Sequence, residues 1–526
     1  MRQVQVLMVA LVVFGGVSGL LLWGQEPAAG AKGAGFTDIT KESGVAALVE
    51  EHYRFEPQLW LSGMTLADLD GDGRLDLLIG GHGYVASFGR NNGAGHFTMV
   101  DPKVDKTTRS TANDGLSLYD RQRIKVEEVP YPGGEIRMIY DFDEDGKLDA
   151  LAAYGDDAGV AYLNKTVMGK TGPVWSFKAF KPGFTVFSRG MCLADFNRDG
   201  FVDYAYNSKG LAQNERHSNT VMTVFYGKGN ATWEVGPEIN ALFETTPIAV
   251  DINGDGFLDL VLHQGGYHPK ERRILLNDGK MNFKDVTEEA GLSKEGMVGG
   301  CGDVNQDGKV DIICPEGVYL NDGKGHFTRG AGVDGGGNDF GSTARVTDID
   351  DDGIADIVTG RGVMRGLGGG KFESANQKWG IRGGVSDFGD IDNDGMLDLV
   401  TSGPPPAGKE RGVSLLHNDL PKQHWIRVQL IGARGNRGAA NAQIRLYEPG
   451  GLNDPAKLLW YEPVLTWGRQ NFHSYYFAVN TERHFGLGKR SAVDVSVEFY
   501  PSGKKVEKKN VKADATVEIR EGGAGN

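Results

Sequence analysis

Seven nine-residue segments of this chain place oxygen-bearing side chains at alternate positions around a fixed glycine. They read DLDGDGRLD from Asp68, DFDEDGKLD from Asp141, DFNRDGFVD from Asp195, DINGDGFLD from Asp251, DVNQDGKVD from Asp303, DIDDDGIAD from Asp348 and DIDNDGMLD from Asp390. We call them loops one to seven. Position one is Asp68, Asp141, Asp195, Asp251, Asp303, Asp348 and Asp390. Position three is Asp70, Asp143, Asn197, Asn253, Asn305, Asp350 and Asp392, and position five is Asp72, Asp145, Asp199, Asp255, Asp307, Asp352 and Asp394. Position nine is Asp76, Asp149, Asp203, Asp259, Asp311, Asp356 and Asp398, and position six is glycine throughout. Alternation aims such side chains inward, and the glycine lets the chain turn sharply, which is how a loop wraps hard oxygen ligands around a divalent cation. A carbonyl from position seven would complete the shell, so up to seven Ca2+ ions are expected.

Without a cation, carboxylates about 4 Å apart would repel by roughly 4 kcal/mol per pair at an effective dielectric near 20. A single such segment is compatible with an Asx-rich turn, but seven copies that all keep position nine are not. An EF-hand needs Glu at position twelve; here that position holds Ile79, Ala152, Tyr206, Leu262, Cys314, Thr359 and Thr401. The formal net charge is −14, from 56 basic and 70 acidic residues. Positions one, three, five and nine of the loops hold 25 of those acids, so the remaining 45 are outnumbered by the basic residues. The acidity is mostly ligand, and a nucleic-acid partner is not expected.

The elements that position these loops are short strands. Apolar runs such as MTLA, IAV and ARV precede the loops, and LDLLIG, LDLVLH and VDIICP follow them. Residues apolar on both sides mark strands buried on both faces. A third strand then runs into turns such as LLNDGKMNF and YLNDGKGHF, where Asn-Asp-Gly suits a hairpin and Phe opens a fourth strand. Loop starts lie 73, 54, 56, 52, 45 and 42 residues apart, the period of one four-stranded propeller blade. Glycine, 79 of 526 residues, argues against long helices. The expected fold is all-β: a seven-bladed β-propeller over residues 35–420 with a calcium loop in each blade, then a small β domain over 421–526. The seventh repeat lacks its fourth strand, and GFTDITKESG from Gly35 resembles NFKDVTEEAG from Asn282, so residues 35–44 are expected to close the ring. Cys192, Cys301 and Cys314 form no disulfide framework, though Cys301 and Cys314 flank one turn and can in principle pair.

The repeats resemble the FG-GAP/VCBS calcium-binding blades of integrin-α-type propellers. That resemblance implies metal loops on one face and partner binding on the other. From His424 the pattern changes to longer alternating strands. The segment Gly432–Ile444, HFGLG from His484 and PSG from Pro501 resemble the ASPIC/UnbV domain that follows such propellers in the cartilage acidic protein family. HFGLG and YPSG are expected to frame turns. Bulky FHSYYF stands where that family has small residues. Residues 421–526 carry 16 Lys or Arg against 10 Asp or Glu, and KKVEKK from Lys504 reads as a solvated hairpin.

Arg2 is followed by an apolar stretch from Val6 to Trp23, a secretory signal or signal anchor within residues 1–34. The protein is therefore expected to be exported, whether secreted, periplasmic or at the cell surface, with membrane contact only through an uncleaved segment. No GxSxG, HExxH, CxxC or phosphate-cradling motif occurs. Loops away from the metals carry His52, Tyr53, Arg54, Trp60, His82, Tyr84, Arg216, His217, His263, Tyr267, His268 and Trp379 as a candidate ligand face. Together these features point to a non-catalytic scaffold that binds or adheres to an extracellular protein or glycan. The alternative is a secreted enzyme acting on polysaccharide or phosphoester through those His and Tyr residues.

Overall fold

In a computed structural model the described residues are 35–55, 61–81, 86–100, 103–105, 135–153, 160–169, 172–174, 176–180, 190–207, 221–241, 245–264, 271–330, 333–334, 343–404, 407, 412–471, 474–477 and 482–522. They form an all-β protein. Each loop lies in its own sheet, joining the first strand to the second. Sheet one runs Leu61–Ala67, Asp76–Gly81, Ala86–Asn91, Phe97–Val100, each strand antiparallel to the next. Six further sheets repeat this plan around loops two to seven. Position nine is the first residue of the second strand in all seven. These second strands are deeply buried: Leu77, Leu260, Ile312, Ile357 and Leu399 are all 0% exposed.

Sheet seven takes its fourth strand from the other end of the repeat region. Phe36–Asp38 pairs antiparallel with Gly412–Asn418, in the register Phe36↔Asn418. An 11-residue helix that the sequence pattern did not suggest, Val45–Phe55, follows. It buries Val45, Leu48, Val49 and Tyr53 against Leu66 and Leu77 of sheet one and Val413 and Leu415 of sheet seven. Sheets two and six each gain an unexpected parallel edge strand, Lys103–Asp105 and Val333–Asp334.

The C-terminal region folds as two sheets around Ile426, Ile444, Trp460, Phe485 and Val495. It does not simply follow the repeats. Trp467–Asn471 leaves it to pair with Gly190–Ala194, the innermost strand of sheet three, and Ser474–Phe477 returns as the other arm of a hairpin. This hairpin also packs against the innermost strands of sheets one, two, four and seven. HFGLG lies inside the strand Glu482–Gly488 and is not a turn, because its glycines serve close approach to the repeats. A Cβ at Gly486 would stand 2.0 Å from Asp348 Oδ2. Lys505–Lys512, which contains most of KKVEKK, is an exposed strand hydrogen-bonded to Ala492–Glu498. All three cysteines are buried and free, so Cys301 and Cys314 do not pair.

Candidate metal centre

The loop conformation follows from two positions that need a positive φ. Position six has φ between 81° and 96° in all seven loops. Position four is also left-handed, at Gly71, Glu144, Arg198, Gly254, Gln306, Asp351 and Asn393. A Cβ at Gly73, Gly146, Gly200 or Gly256 would meet nothing, so glycine there answers to conformation and not to space. The turn aims the position-six N–H at the position-one carboxylate: Gly73 to Asp68 at 2.9 Å, Gly200 to Asp195 at 2.8 Å, Gly308 to Asp303 at 2.8 Å and Gly395 to Asp390 at 2.9 Å. Loops two, four and six repeat this contact.

Position nine is a clamp as well as a candidate ligand. One oxygen accepts the N–H of position two, as in Leu69 to Asp76 at 3.1 Å and Phe196 to Asp203 at 2.8 Å. The other accepts an N–H from the third strand: Asn91, Asn164, Gly227, Asn277, Asn321, Gly366 and Asn418 donate to the seven position-nine aspartates at 2.6–2.9 Å. Burial pushes Asp76, Asp149, Asp203 and Asp311 up to about 8 and Asp259 up to about 7, although both oxygens accept N–H bonds. Such a carboxylate takes either a proton or a cation.

The residues fit a hard cation. In loops one, two, six and seven, carboxylate oxygens of positions one, three and nine converge within 4.8 Å of one another. Buried oxygens of Asp141, Asp143 and Asp350 have no partner. In loops three to five position three is an amide, and its oxygen is held by the position-five N–H, as in Asp199 to Asn197 at 3.0 Å. The structure thus brings positions one, three and nine together in loops one, two, six and seven.

The sequence reading missed two kinds of residue. The first is a cation on the third strand or just after it. Arg90 reaches Asp70 at 2.7 Å and Asp72 at 2.8 Å. Lys165 pairs with Asp143 and, at 2.7 Å, with Asp145. Arg365 pairs with Asp350 at 2.6 Å and with Asp352, and His417 meets Asp392 at 3.2 Å. Part of the mutual repulsion expected of the aspartates is thereby offset by the protein itself. The second kind is the asparagine that ends the third strand. Its amide bonds to the carbonyl of position eight and, in four sheets, to position two of a neighbouring loop: Asn164 to Leu69 at 2.7 Å, Asn321 to Ile252 at 2.9 Å, Asn418 to Ile349 at 2.9 Å and Asn91 to Ile391 at 2.7 Å. The signal was present in the recurrent Asn before the hairpin turn.

The C-terminal domain covers the loop face. Arg427 pairs with Asp390 at 2.5 Å, His484 with Asp351 at 2.6 Å and Lys422 with Asp394 at 2.9 Å. The N–H of Val202 donates to the Gly435 carbonyl at 3.0 Å, and the Tyr140 hydroxyl meets Asn436 at 3.0 Å. Asn441 Nδ2 donates to Ala249 O at 3.0 Å. A cavity of about 120 Å³ remains at this seam, beside Arg345, Asp387, Arg427, Glu462, Arg483 and His484.

The candidate ligand face fares differently. Tyr53 is 5% and Trp379 3% exposed; both are core residues, Tyr53 because helix Val45–Phe55 turns it inward and Trp379 because it packs beside Phe36. His52 and Arg54 lie in that helix and His263 in strand Asp259–Gln264. Trp60, His82, Tyr84, Arg216, His217, Tyr267 and His268 fall outside the described residues, as does the 1–34 segment. Among the described residues no helix is long and apolar enough to cross a membrane.

Comparison with known families agrees with this architecture. A model of FG-GAP-like repeats matches residues 251–314 and 303–359, and a model described as ASPIC and UnbV matches 432–526. No curated protein matches the chain. Among solved structures it is similar to BBS1N in complex with ARL6DN, at 11% identity over 69% of this chain and 98% of that one, with a TM-score of 0.37. An exo-beta-1,3-galactanase from Phanerochaete chrysosporium, with beta-1,3-galactotriose, shows 9% identity over 82% and 93% of the two chains, with a TM-score of 0.28.

Proposed function

We propose that this chain, which carries FG-GAP-like repeats followed by an ASPIC/UnbV domain, is an exported calcium-binding scaffold that presents a protein- or glycan-binding surface and performs no chemistry of its own. In this reading the seven sheets are the blades of one closed propeller. The observation that carries it is the sevenfold recurrence of a single glycine-dependent turn, with position-one, -three and -nine oxygens gathered in loops one, two, six and seven. Calcium held there would replace the protons that burial otherwise imposes on the position-nine carboxylates. Ring closure is supported by Asn91, which reaches loop seven as Asn164 reaches loop one. The C-terminal domain occupies the loop face, which leaves the opposite face for an extracellular protein or glycan.

Thermal unfolding of residues 35–526 in excess EDTA and then in millimolar calcium tests the reading. A large upward shift with calcium is expected from preferential binding to the folded state. An unchanged midpoint would mean that the loops hold themselves together by their N–H donors and internal cations alone.

A further inference from the structure

The seven loops are not electrostatically equal, and the difference follows one rule. Where position three is Asp, in loops one, two, six and seven, a cation reaches positions three and five or position three: Arg90, Arg365 and His417 from the third strand, and Lys165 from just beyond the strand that ends at Asn164. Where position three is Asn, in loops three, four and five, the residue equivalent to Arg90, the one before the N–H donor to position nine, is Tyr226, Leu276 or Leu320, and the residue equivalent to Lys165, the one after that donor, is Lys228, which pairs with Glu234 at 3.3 Å, Asp278 or Asp322. No ion pair reaches the position-one, -three, -five or -nine side chains of loops three and four among the described residues. Arg198, at position four of loop three, is turned away over the rings of Phe257 and Tyr500. Loop five has one pair, Lys309 with Asp307 at 2.9 Å, with both side chains about a third exposed and so weakened by solvent. Loop seven stands at the other extreme, with His417, Lys422 and Arg427 on Asp392, Asp394 and Asp390.

A guanidinium or ammonium within 3 Å of the carboxylates repels a second cation arriving at the same oxygens. Because Asp141, Asp143 and Asp350 keep oxygens without partners, one internal cation does not saturate its loop, and the effect is lower affinity and not exclusion. Resting on the calcium reading above, we infer that the loops form two calcium classes. Loops three, four and five, three consecutive sheets, bind first. Loops one, two, six and seven bind more weakly, against the charge of their own arginine, lysine or histidine.

Calcium titration of the full exported chain by calorimetry, with equilibrium dialysis of 45Ca as the count, tests this. Three sites are expected to fill at least about tenfold more tightly than the rest. Arg90→Gln and Arg365→Gln together should raise the tight count from three to five. Leu320→Arg, which installs the cation in loop five, should lower it to two. Because the first pair can weaken folding, circular dichroism checks each variant, and Leu320→Arg tests the rule in the opposite direction. Seven equivalent sites, or a tight count that ignores these substitutions, would overturn the two classes while leaving calcium binding intact. Absence of calcium binding in wild type and variants alike would overturn both.

Discussion

The side-chain amide of Asn91 donates to the carbonyl of Ile391 at 2.7 Å, across 300 residues of sequence. Asn91 ends the third strand of sheet one, and Ile391 is position two of loop seven. The same bond recurs between sequence-adjacent sheets, from Asn164 to Leu69, Asn321 to Ile252 and Asn418 to Ile349. The first and last repeats are thus joined by the same bond that joins these three sequence-adjacent pairs. Asn91→Ala should leave the carbonyls of Ile391 and Leu75 without this donor and cost about 1–3 kcal/mol. A urea midpoint equal to wild type would show that the amide holds nothing together.

Removing charge from one ligand set should separate metal binding from packing. Asp255→Asn in loop four keeps a side-chain oxygen to accept the Phe257 N–H but loses a carboxylate. The expected outcome is a smaller calcium-induced rise in melting temperature with little change in EDTA. Equal losses in both conditions would argue against Asp255 as a ligand.

The position-nine aspartates predict how stability varies with pH. Burial raises them from an ordinary 3.8 to about 7 for Asp259 and about 8 for Asp76, Asp149, Asp203 and Asp311. The folded chain therefore holds protons that the unfolded chain has released. Their contribution is full below the unfolded value and is lost as pH rises through the folded one. In EDTA the melting temperature should fall between pH 6 and 8.5. Saturating calcium, which binds the deprotonated loops, should flatten or reverse that slope. Scanning calorimetry across the two series would decide, and parallel slopes would count against the linkage.

Arg427 and Asp390 form a nearly buried pair, with side chains 11% and 2% exposed. Arg427→Met should cost about 3–5 kcal/mol, because it leaves the buried carboxylate uncompensated. Calcium should return part of that loss by occupying loop seven. A variant whose calcium response matched wild type would sever the link between domain docking and that loop.

Cys192, Cys301 and Cys314 are buried, and burial raises all three thiols, Cys314 to about 12. Since the thiolate is the reactive form, none should react with a disulfide-exchange reagent in the native state, and all three should react in guanidinium. Fast labelling of a single native thiol would contradict the packing around it.

Much of this was legible in the sequence. The loops, the strands flanking them and the pairing of Phe36–Asp38 beside Gly412–Asn418 follow from local repetition, which a single chain displays seven times. The cations did not, because Arg90 lies 20 residues and Lys165 22 residues from the aspartates they meet, at spacings set by variable hairpins. Tyr53 and Trp379 looked like surface aromatics because neither stands in a repeated strand; helix Val45–Phe55 and the core beside Phe36 claim them. The docking role of Gly435 and Gly486 was hidden as well. Their need for glycine arises from Gly200 O and Asp348 Oδ2, in distant repeats.

The hairpin Trp467–Phe477 also sets the order in which this molecule can mature. Its first arm pairs with Gly190–Ala194, so the inner edge of sheet three waits for a segment made some 270 residues later. Until those residues emerge, that strand offers unpaired backbone to any passing chain. Pairings of such long range are slow to form. The repeats would therefore stay incomplete at sheet three until the strand Trp467–Asn471 is made, and its pairing would act as the step that commits the chain to the native state.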